Sequence, residues 1–220
     1  MKTSVSNLPS SMDSHIGVID YGAGNLRNVL NALKMIGAPG KLVASPEDFD
    51  GVEQLVFPGV GAFGDCVAHL DDQGLREPLR EWLAANRPFF GICVGYQVLF
   101  EGSEENPGVA GLGHFKGQVR RFPDVGLKVP HMGWNTVTPK DSTDPAWDGL
   151  PPEPHLYFVH SYFPQPEDES IIAATCQYGV EFAAAVREGS IFAAQFHPER
   201  SQSAGLRILR NFLVSSGALA

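Results

Sequence analysis

A cysteine framed by glycines is the part of this sequence best suited to chemistry. Cys93 has Gly91 two residues before it and Gly95 two residues after it, and it follows an apolar run over residues 88–92 that predicts a buried strand. Residues that favour helix come next. A strand, a sharp turn and a helix in this order hold a nucleophile at a strained corner, where bulky neighbours would collide with the backbone. The N-terminus of the helix would also favour the thiolate. The alternative is a buried cysteine that packs as a small hydrophobe.

A histidine and a carboxylate near the C-terminal end could complete such a site. Pro198 lies between His197 and Glu199; it should exclude helix and extend the backbone at His197, so that both side chains project to the same side. A carboxylate that accepts from one imidazole nitrogen leaves the other nitrogen facing a nucleophile. We expect the pair to reach Cys93 if the last strand lies beside the strand before Cys93. Taken separately, they would be an ordinary surface histidine and a solvated charge.

A glycine-rich loop over residues 58–64 could supply the remaining group. Its glycines allow backbone N–H groups to point at a ligand, which suits the stabilisation of an oxyanion; a tight surface turn is the alternative. A second glycine pair, Gly22 and Gly24, lacks the third glycine and the acidic residue of a dinucleotide-binding motif, so we predict no cofactor.

Composition excludes several classes of function. The 220 residues include 16 basic and 25 acidic side chains, a net charge of −9 without a basic block, which disfavours nucleic acid and anionic membranes as partners. The chain has three cysteines, Cys66, Cys93 and Cys176, an odd number that argues against a disulfide framework and for a reducing, cytoplasmic location. Their spacing is not that of metal ligands, so we predict no metal site. No apolar run approaches the roughly 18 residues of a membrane span.

The order of the predicted elements indicates the fold class. Residues 1–14 lack the apolar stretch of a signal peptide and are predicted to be a disordered lead-in, with one domain over residues 15–220. Strands alternate with helices as far as the helix after Cys93, with a break near Gly74, and short alternating stretches follow, one of them over residues 155–163. Prolines over 164–166 are predicted to form a surface turn. We therefore predict an α/β domain with a mostly parallel sheet, flanking helices and an antiparallel extension.

The chain resembles the class I, or triad, glutamine amidotransferases from residue 15 nearly to its end. The motifs that carry the resemblance, in the family's order, are Pro58-Gly59-Val60-Gly61, Gly91-Ile92-Cys93-Val94-Gly95-Tyr96-Gln97 and His197-Pro198-Glu199. Within this class it is most similar to the glutaminase subunits of imidazole glycerol phosphate synthase. Further motifs support that subfamily: Asp20-Tyr21-Gly22-x-Gly24-Asn25, Phe100-Glu101-x-Ser103-Glu104-Glu105, Pro130-His131-Met132-Gly133-Trp134-Asn135 and Tyr157-Phe158-Val159-His160-Ser161-Tyr162.

The resemblance implies a role for each matching residue. Cys93 would attack glutamine, His197 would transfer protons and Glu199 would orient the imidazole. The implied oxyanion donors are the N–H of Val94 and one N–H among Gly59, Val60 and Gly61. The implied substrate-binding residues are Gln97, Glu105 with Glu104 as its alternative, His160, Ser161 and Tyr162.

The resemblance also implies a partner, a separate (β/α)₈ synthase subunit that joins ammonia to a ribonucleotide and yields imidazole glycerol phosphate and an aminoimidazole carboxamide ribotide. Asn25, Trp134 and Arg200 resemble interface positions, and residues 58–61 are expected to change conformation when the partner is loaded. Arg200 stands where lysine is common, and Tyr96 where methionine or leucine is common. Two alternatives stay open: a glutaminase of pyridoxal phosphate or anthranilate synthase, and a catalytically silent binding module.

Overall fold

A central β-sheet organises the structure, a computed structural model that describes residues 15–22 and 25–219. Within these residues the main sheet has nine strands and a smaller sheet has three. The predicted lead-in, residues 1–14, lies outside the described residues, as do residues 23, 24 and 220.

The strands and helices have the following bounds. The strands are β1 (Ile16–Ile19), β2 (Lys41–Val43), β3 (Gln54–Gly59), β4 (Phe89–Cys93), β5 (Phe100–Ser103), β6 (Phe115–Arg121), β7 (His131–Pro139), β8 (His155–His160), β9 (Tyr162–Pro166), β10 (Ile172–Tyr178), β11 (Val180–Glu188) and β12 (Ile191–Ala194). The helices are α1 (Leu26–Met35), α2 (Phe63–Asp72), α3 (Arg76–Ala84), α4 (Val94–Gln97) and α5 (Gln202–Ser215).

The main sheet is parallel on one side and antiparallel on the other. Its strand order is β2-β1-β3-β4-β12-β11-β10-β7-β8. The pairs from β2 to β12 are parallel, and the pairs from β12 to β8 are antiparallel. The predicted fold class, a mostly parallel sheet with an antiparallel extension, is confirmed.

Strand β4 lies at the centre because it is apolar on both faces. All of its residues are buried, as are those of β1, β3 and β12, which is expected of parallel strands covered on both sides. Phe212 of α5 packs against Phe90 with ring centroids 5.2 Å apart. Ala194 of β12 pairs with Ile92 of β4, so the segment after β12 begins beside Cys93. The neighbouring strand needed to bring His197 to the cysteine is therefore present.

Glycines lie where the early helices end, and the break predicted near Gly74 is present. Helix α1 is followed by Gly37 at φ 80°, and the break between α2 and α3 contains Gly74 at φ 69°. No helix among the described residues is long and apolar enough to cross a membrane.

Three predicted elements differ from the structure. The single strand expected over 155–163 is split at Ser161 into β8 of the main sheet and β9 of the smaller sheet. Pro164 and Pro166 lie within β9 and not in a turn; β9 is an edge strand, where a missing N–H is tolerated. The helix after Cys93 is a single turn, because the chain enters β5 at Phe100.

Candidate active site

The backbone at Cys93 adopts a conformation that explains its glycine neighbours. Cys93 has φ 55° and ψ −108°, in the positive-φ region that L-residues rarely occupy. A Cβ on Gly95 would lie 2.0 Å from the carbonyl oxygen of Phe57, and one on Gly91 would lie 2.8 Å from the carbonyl oxygen of Gly95. Strands β3 and β4 and helix α4 thus approach too closely for side chains. The strained corner predicted for a nucleophile is present, but its helix has one turn, so a macrodipole can contribute little to the thiolate.

The His197–Glu199 pair forms directly after β12. His197 is extended, with φ −102° and ψ 96°, and its Nδ1 lies 2.8 Å from Glu199 Oε1. Both side chains are only 1% exposed. We predicted that Pro198 would exclude helix, but residues Pro198–Arg200 form a single 3₁₀ turn. Proline is tolerated at the first position of this turn because no N–H is required there.

Strand β8 fixes the position of His197. The His197 N–H donates to the Tyr157 carbonyl at 2.9 Å, and the Ser201 hydroxyl donates to the His197 carbonyl at 2.6 Å. The Tyr157 N–H in turn donates to the Ser201 hydroxyl at 2.9 Å. Because these bonds involve the backbone on both sides of the imidazole, its direction is set by the sheet and not by rotamer choice alone.

The surroundings of His197 favour the imidazolium. Burial opposes the charge, but nearby Cys93 and Glu199 outweigh that cost and raise the pKa of His197 to about 10. None of the described residues makes a hydrogen bond to His197 Nε2, which is buried. The second imidazole nitrogen therefore remains available to a thiol or a ligand.

One cavity of about 290 Å³ gathers most of the predicted site residues. Its lining residues are Val60, Gly61, Cys93, Val94, Gln97, Glu105, Pro130, Val159, His160, Ser161, Tyr162 and His197. Glu199 lies behind His197, in contact with its Nδ1. Segments separated by more than a hundred residues thus converge on the cysteine, and the volume suits a ligand the size of an amino acid.

The resemblance implies one oxyanion donor among Gly59, Val60 and Gly61, and the contacts of the first two are defined in this structure. Gly59 ends β3, and a Cβ there would lie 2.5 Å from the Gly95 nitrogen, so this residue serves close packing. The Val60 N–H donates to the Tyr21 hydroxyl at 3.0 Å, and that hydroxyl donates to the Val60 carbonyl at 3.1 Å. Val60 therefore offers no free oxyanion donor in this conformation. The motif matched by resemblance contains Tyr21, but nothing in its spacing indicated this contact.

A second missed residue, Gln195, contacts the sulfur. Its Nε2 donates to Cys93 Sγ at 3.6 Å, and its Oε1 accepts from Gln97 Nε2 at 3.1 Å. Gln97 Nε2 also donates to the Tyr162 carbonyl at 3.0 Å, so both of its amide hydrogens are used within the protein. Within this side-chain amide, only Oε1 of Gln97 could then accept a hydrogen bond from a ligand. The available signal for Gln195 was its place two residues before His197, at the end of a buried strand.

The choice between two neighbouring glutamates follows from their positions. Glu105 lines the cavity, and its Oε2 accepts from the Phe63 N–H at 2.8 Å. Glu104 instead accepts from the Arg121 N–H at 2.8 Å and pairs with Arg120 at 2.9 Å, contacts that lower its pKa. Glu105 is the carboxylate that can meet a charged group in the cavity.

His160 belongs to a chain of buried polar side chains. His160 Nδ1 lies 2.8 Å from the Tyr162 carbonyl and must donate, so Nε2 accepts from His131 Nδ1 at 3.1 Å. His131 Nε2 then accepts from Asn135 Nδ2 at 3.2 Å. Both ring nitrogens of His160 are occupied within the protein, and the role of residues 160–162 in substrate binding stays a prediction. The imidazole holds the carbonyl of Tyr162.

The three residues expected at an interface lie in different surroundings. Asn25 donates to Glu199 Oε1 at 3.1 Å, so it contacts the triad directly. Trp134 is 46% exposed and packs edge-on against Tyr157, with ring centroids 6.1 Å apart. The guanidinium carbon of Arg200 lies 4.2 Å from the centroid of the same Tyr157 ring. Their contact with a partner stays a prediction.

The other cysteines differ from Cys93. Cys66 and Cys176 are buried outside the cavity, and burial raises the pKa of both thiols, that of Cys176 to about 12. They fit the description of small packed hydrophobes. Cys93 alone of the three lines the cavity with His197.

Comparison with known proteins gives a family and relatives for this chain. The model of the family "Glutamine amidotransferase class-I" matches residues 17–216. A protein from Acinetobacter baylyi named imidazole glycerol phosphate synthase subunit HisH is 45% identical over 91% of this chain and 98% of its own length. A protein of the same name from Methylococcus capsulatus is 48% identical over 91% of this chain and 96% of its own.

Solved structures share the fold at lower identity. A crystal structure described as a glutamine amidotransferase has a TM-score of 0.73 at 24% identity, covering 92% of this chain and 98% of that one. PurLQS from Thermotoga maritima also gives a TM-score of 0.73, at 18% identity, covering 91% and 97% of the two chains. At such identities the similarity concerns the fold alone.

Proposed function

This chain belongs to the class-I glutamine amidotransferases, and from that premise we propose that it is the glutaminase subunit of an imidazole glycerol phosphate synthase. It hydrolyses glutamine to glutamate and ammonia, and it passes the ammonia to a separate synthase chain. The names of its relatives favour this synthase over pyridoxal phosphate or anthranilate synthase. The observation that carries the proposal is the cavity in which Cys93 and His197 meet, with Glu199 bonded to the far side of the imidazole.

The reaction proceeds through a thioester. The Cys93 sulfur, its proton transferred to His197, attacks the side-chain amide carbon of glutamine and forms a C–S bond. The tetrahedral intermediate collapses as the C–N bond breaks, and His197 returns the proton to the departing ammonia. Water, deprotonated by His197, then cleaves the thioester to glutamate and frees the sulfur.

Glu199 keeps the imidazole in the tautomer that this cycle needs. Its Oε1 accepts from Nδ1 at 2.8 Å and so directs Nε2 toward the reacting atoms. The pair is buried, which strengthens its electrostatic contact relative to one in water. Asn25 donates to the same oxygen at 3.1 Å and keeps the carboxylate from rotating.

Two groups in the cavity suit the charged ends of glutamine. The Glu105 carboxylate can pair with an α-ammonium group, and the Gln97 carbonyl oxygen can accept from it. The Val94 N–H, at the first position of α4, has no partner within the helix and can donate to the oxyanion.

The ammonia acceptor that we propose is a (β/α)₈ subunit docked over β7. Met132 and Trp134, which are 63% and 46% exposed, follow Pro130 at the rim of the cavity. Large exposed apolar side chains beside a site support an interface there. A cytoplasmic location is part of the proposal and is supported by the three free cysteines.

The proposal is tested with Cys93→Ala in the complex with the synthase subunit. Glutamine-dependent synthesis should fall at least about 10³-fold, since the covalent route is lost. Synthesis from added ammonium salt should continue at the wild-type rate, because that chemistry occurs on the other chain. Both rates are followed by formation of imidazole glycerol phosphate.

Cys176→Ala is the matched control, as it removes a buried thiol outside the cavity and should leave both rates unchanged. Full glutamine-dependent turnover by Cys93→Ala would refute the assignment of the nucleophile. Failure of the wild-type complex to release glutamate would mean that the chain is a silent binding module.

A further inference from the structure

We propose that His131 is a positioning residue for glutamine binding, because through His160 it holds the Tyr162 peptide in the wall of the cavity. The inference rests on the proposed function, since it concerns how the ligand of that cavity is held. His131 is not one of the described residues that line the cavity, so it acts only through His160.

The Tyr162 carbonyl accepts hydrogen bonds from two buried side chains. His160 Nδ1 donates at 2.8 Å, and Gln97 Nε2 donates at 3.0 Å. All three residues line the cavity. The position of this peptide is therefore set by side chains and not by strand pairing alone.

Strand pairing leaves the Tyr162 peptide available for these contacts. The Phe122 N–H donates to the Ser161 carbonyl at 3.1 Å, and Arg121 lies opposite Tyr162. Bonded and non-bonded pairs alternate along an antiparallel ladder, so both backbone groups of Tyr162 point away from β6. Strand β9 is an edge of its sheet, so no other strand of that sheet covers these groups. While the carbonyl is held, the N–H on the same side can face a ligand.

The hydrogen bonds behind His160 run in one direction only. The Thr136 N–H donates to Asn135 Oδ1 at 2.8 Å, so the Asn135 amide nitrogen faces His131 and donates to Nε2 at 3.2 Å. His131 must then donate from Nδ1 to His160 Nε2, 3.1 Å away, and His160 donates from Nδ1 to Tyr162. Burial lowers the pKa of both imidazoles, so each ring carries one proton at neutral pH.

The Nδ1 donor is what a phenyl ring could not supply at this position. His131 is 3% exposed, and its ring stacks on Phe158 at 4.8 Å and on Tyr178 at 4.0 Å between centroids. A phenyl ring can make the same two contacts. Without the donor, however, His160 Nε2 would be a buried polar atom lacking a partner. Turning toward water in the cavity relieves that cost and takes Nδ1 away from the Tyr162 carbonyl.

The test measures KM and kcat for glutamine in the complex with the synthase subunit. For His131→Phe, KM should rise about three- to tenfold, the worth of one neutral hydrogen bond. The kcat should change less than about twofold, because Gln195 and Gln97 still hold the sulfur end of the site. His155→Phe, at an exposed position of β8, is the matched control and should keep both constants.

His131→Asn is the rescuing variant. Its amide nitrogen takes the place of Nδ1 and can donate to His160, whereas the stacking on Phe158 and Tyr178 is lost. KM should therefore return to within about twofold of the wild-type value, although the variant should unfold at a lower urea concentration than His131→Phe. A role in packing alone gives the opposite order, with KM preserved in His131→Phe and raised in His131→Asn, and that result would overturn the proposal.

The tautomers provide a measurement on the unmodified protein. Nitrogen-15 NMR of the imidazoles should show the proton on Nδ1 in both His131 and His160, with His131 identified by the signals missing from His131→Phe. A proton on Nε2 of either ring would refute the direction of the hydrogen bonds, whether or not the variants fold.

The outcomes separate this inference from the proposed function. If the wild-type complex hydrolyses glutamine but His131→Phe keeps the wild-type KM, only the positioning role of His131 is wrong. If the wild-type complex hydrolyses no glutamine, the proposed function fails, and the inference that rests on it fails with it.

Discussion

Gln195 is the side chain that most directly supports the nucleophile. Its amide lies 3.6 Å from Cys93 Sγ and also bonds Gln97, so it links the sulfur to a residue of the cavity wall. It is completely buried, and a hydrogen bond to a charged group in such a place is stronger than one in water. We infer that it orients the sulfur and stabilises its thiolate.

Replacing Gln195 should therefore impair catalysis without unfolding the protein. Gln195→Met keeps the size of the side chain but removes the donor, and kcat/KM for glutamine should fall about 10- to 100-fold, as expected for a charge-assisted hydrogen bond of roughly 1.5–3 kcal/mol. Steady-state glutamate release by the complex measures the effect. Gln177→Met, at an exposed position of β10, is the control, and equal kcat/KM values for the two variants would exclude this role.

At the scale of elements, β7, β8 and the start of β9 form one unit around two histidines. His131 pairs with His160 across the register of β7 and β8, and its ring stacks on Tyr178 of β10 with centroids 4.0 Å apart. Burial lowers the pKa of His131 to about 4 and that of His160 to about 3. Both rings are therefore neutral at pH 7, as their mutual hydrogen bond requires.

These neutral histidines predict a pH dependence of stability. Below about pH 6.5 the unfolded chain binds protons at His131 and His160, whereas the folded chain does not until about pH 4 and 3. The free energy of unfolding should therefore fall as pH drops from 6.5 to 4, by up to about 1.4 kcal/mol per pH unit for each histidine.

Urea unfolding at several pH values in this range tests the effect. In His131→Gln the slope of stability against pH should be shallower than in the wild type, whatever the absolute stability of the variant. His155→Gln, at an exposed position of β8, should keep the wild-type slope. Parallel slopes for wild type and His131→Gln would contradict the assignment of a neutral ring.

On the scale of the whole molecule, the parallel half of the main sheet (β2 to β12) and its antiparallel half (β12 to β8) contribute to different functions. The parallel half presents the carboxyl ends of β3, β4 and β12 at one edge, where the cavity lies. In the antiparallel half, Tyr157 of β8 accepts the hydrogen bond from the His197 N–H, and Trp134 of β7 is exposed to solvent. Catalysis and the proposed docking face thus share a continuous sheet.

Trp134 is the residue by which the docking face can be tested. Its ring contacts Tyr157 but is 46% exposed, so removal of the indole should cost partner contacts more than folding. Trp134→Ala should weaken binding of the synthase subunit by about 10- to 100-fold, in the range of an interface hot spot, and leave glutamate release by the free subunit unchanged.

Titration calorimetry or surface binding assays with the purified synthase subunit would measure this loss. Met35→Ala in α1 is the control, since Met35 is also large, apolar and exposed, at 73%. Equal affinity of the two variants would place the interface elsewhere on the molecule.

Local patterns were sufficient to predict the parallel half of the fold. The predicted strand over residues 88–92, the alternation of strands and helices before it and the break near Gly74 are present, because such strands are apolar throughout and their helices have one apolar face. After Cys93 the same patterns predicted the antiparallel extension but missed two local features. A one-turn helix and the split of residues 155–163 at Ser161 are decided by pairing in two different sheets, which local composition does not encode.

By itself, the sequence determined the chemical identity of the site. The glycines around Cys93 and the spacing of His197 and Glu199 carry local physical requirements, namely close backbone approach and a shared direction of two side chains. Only the tertiary structure decided which groups surround them. The contacts of Gln195 with the sulfur and of Tyr21 with Val60 join residues 102 and 39 positions apart, and such contacts depend on strand order and register, which no local pattern specifies.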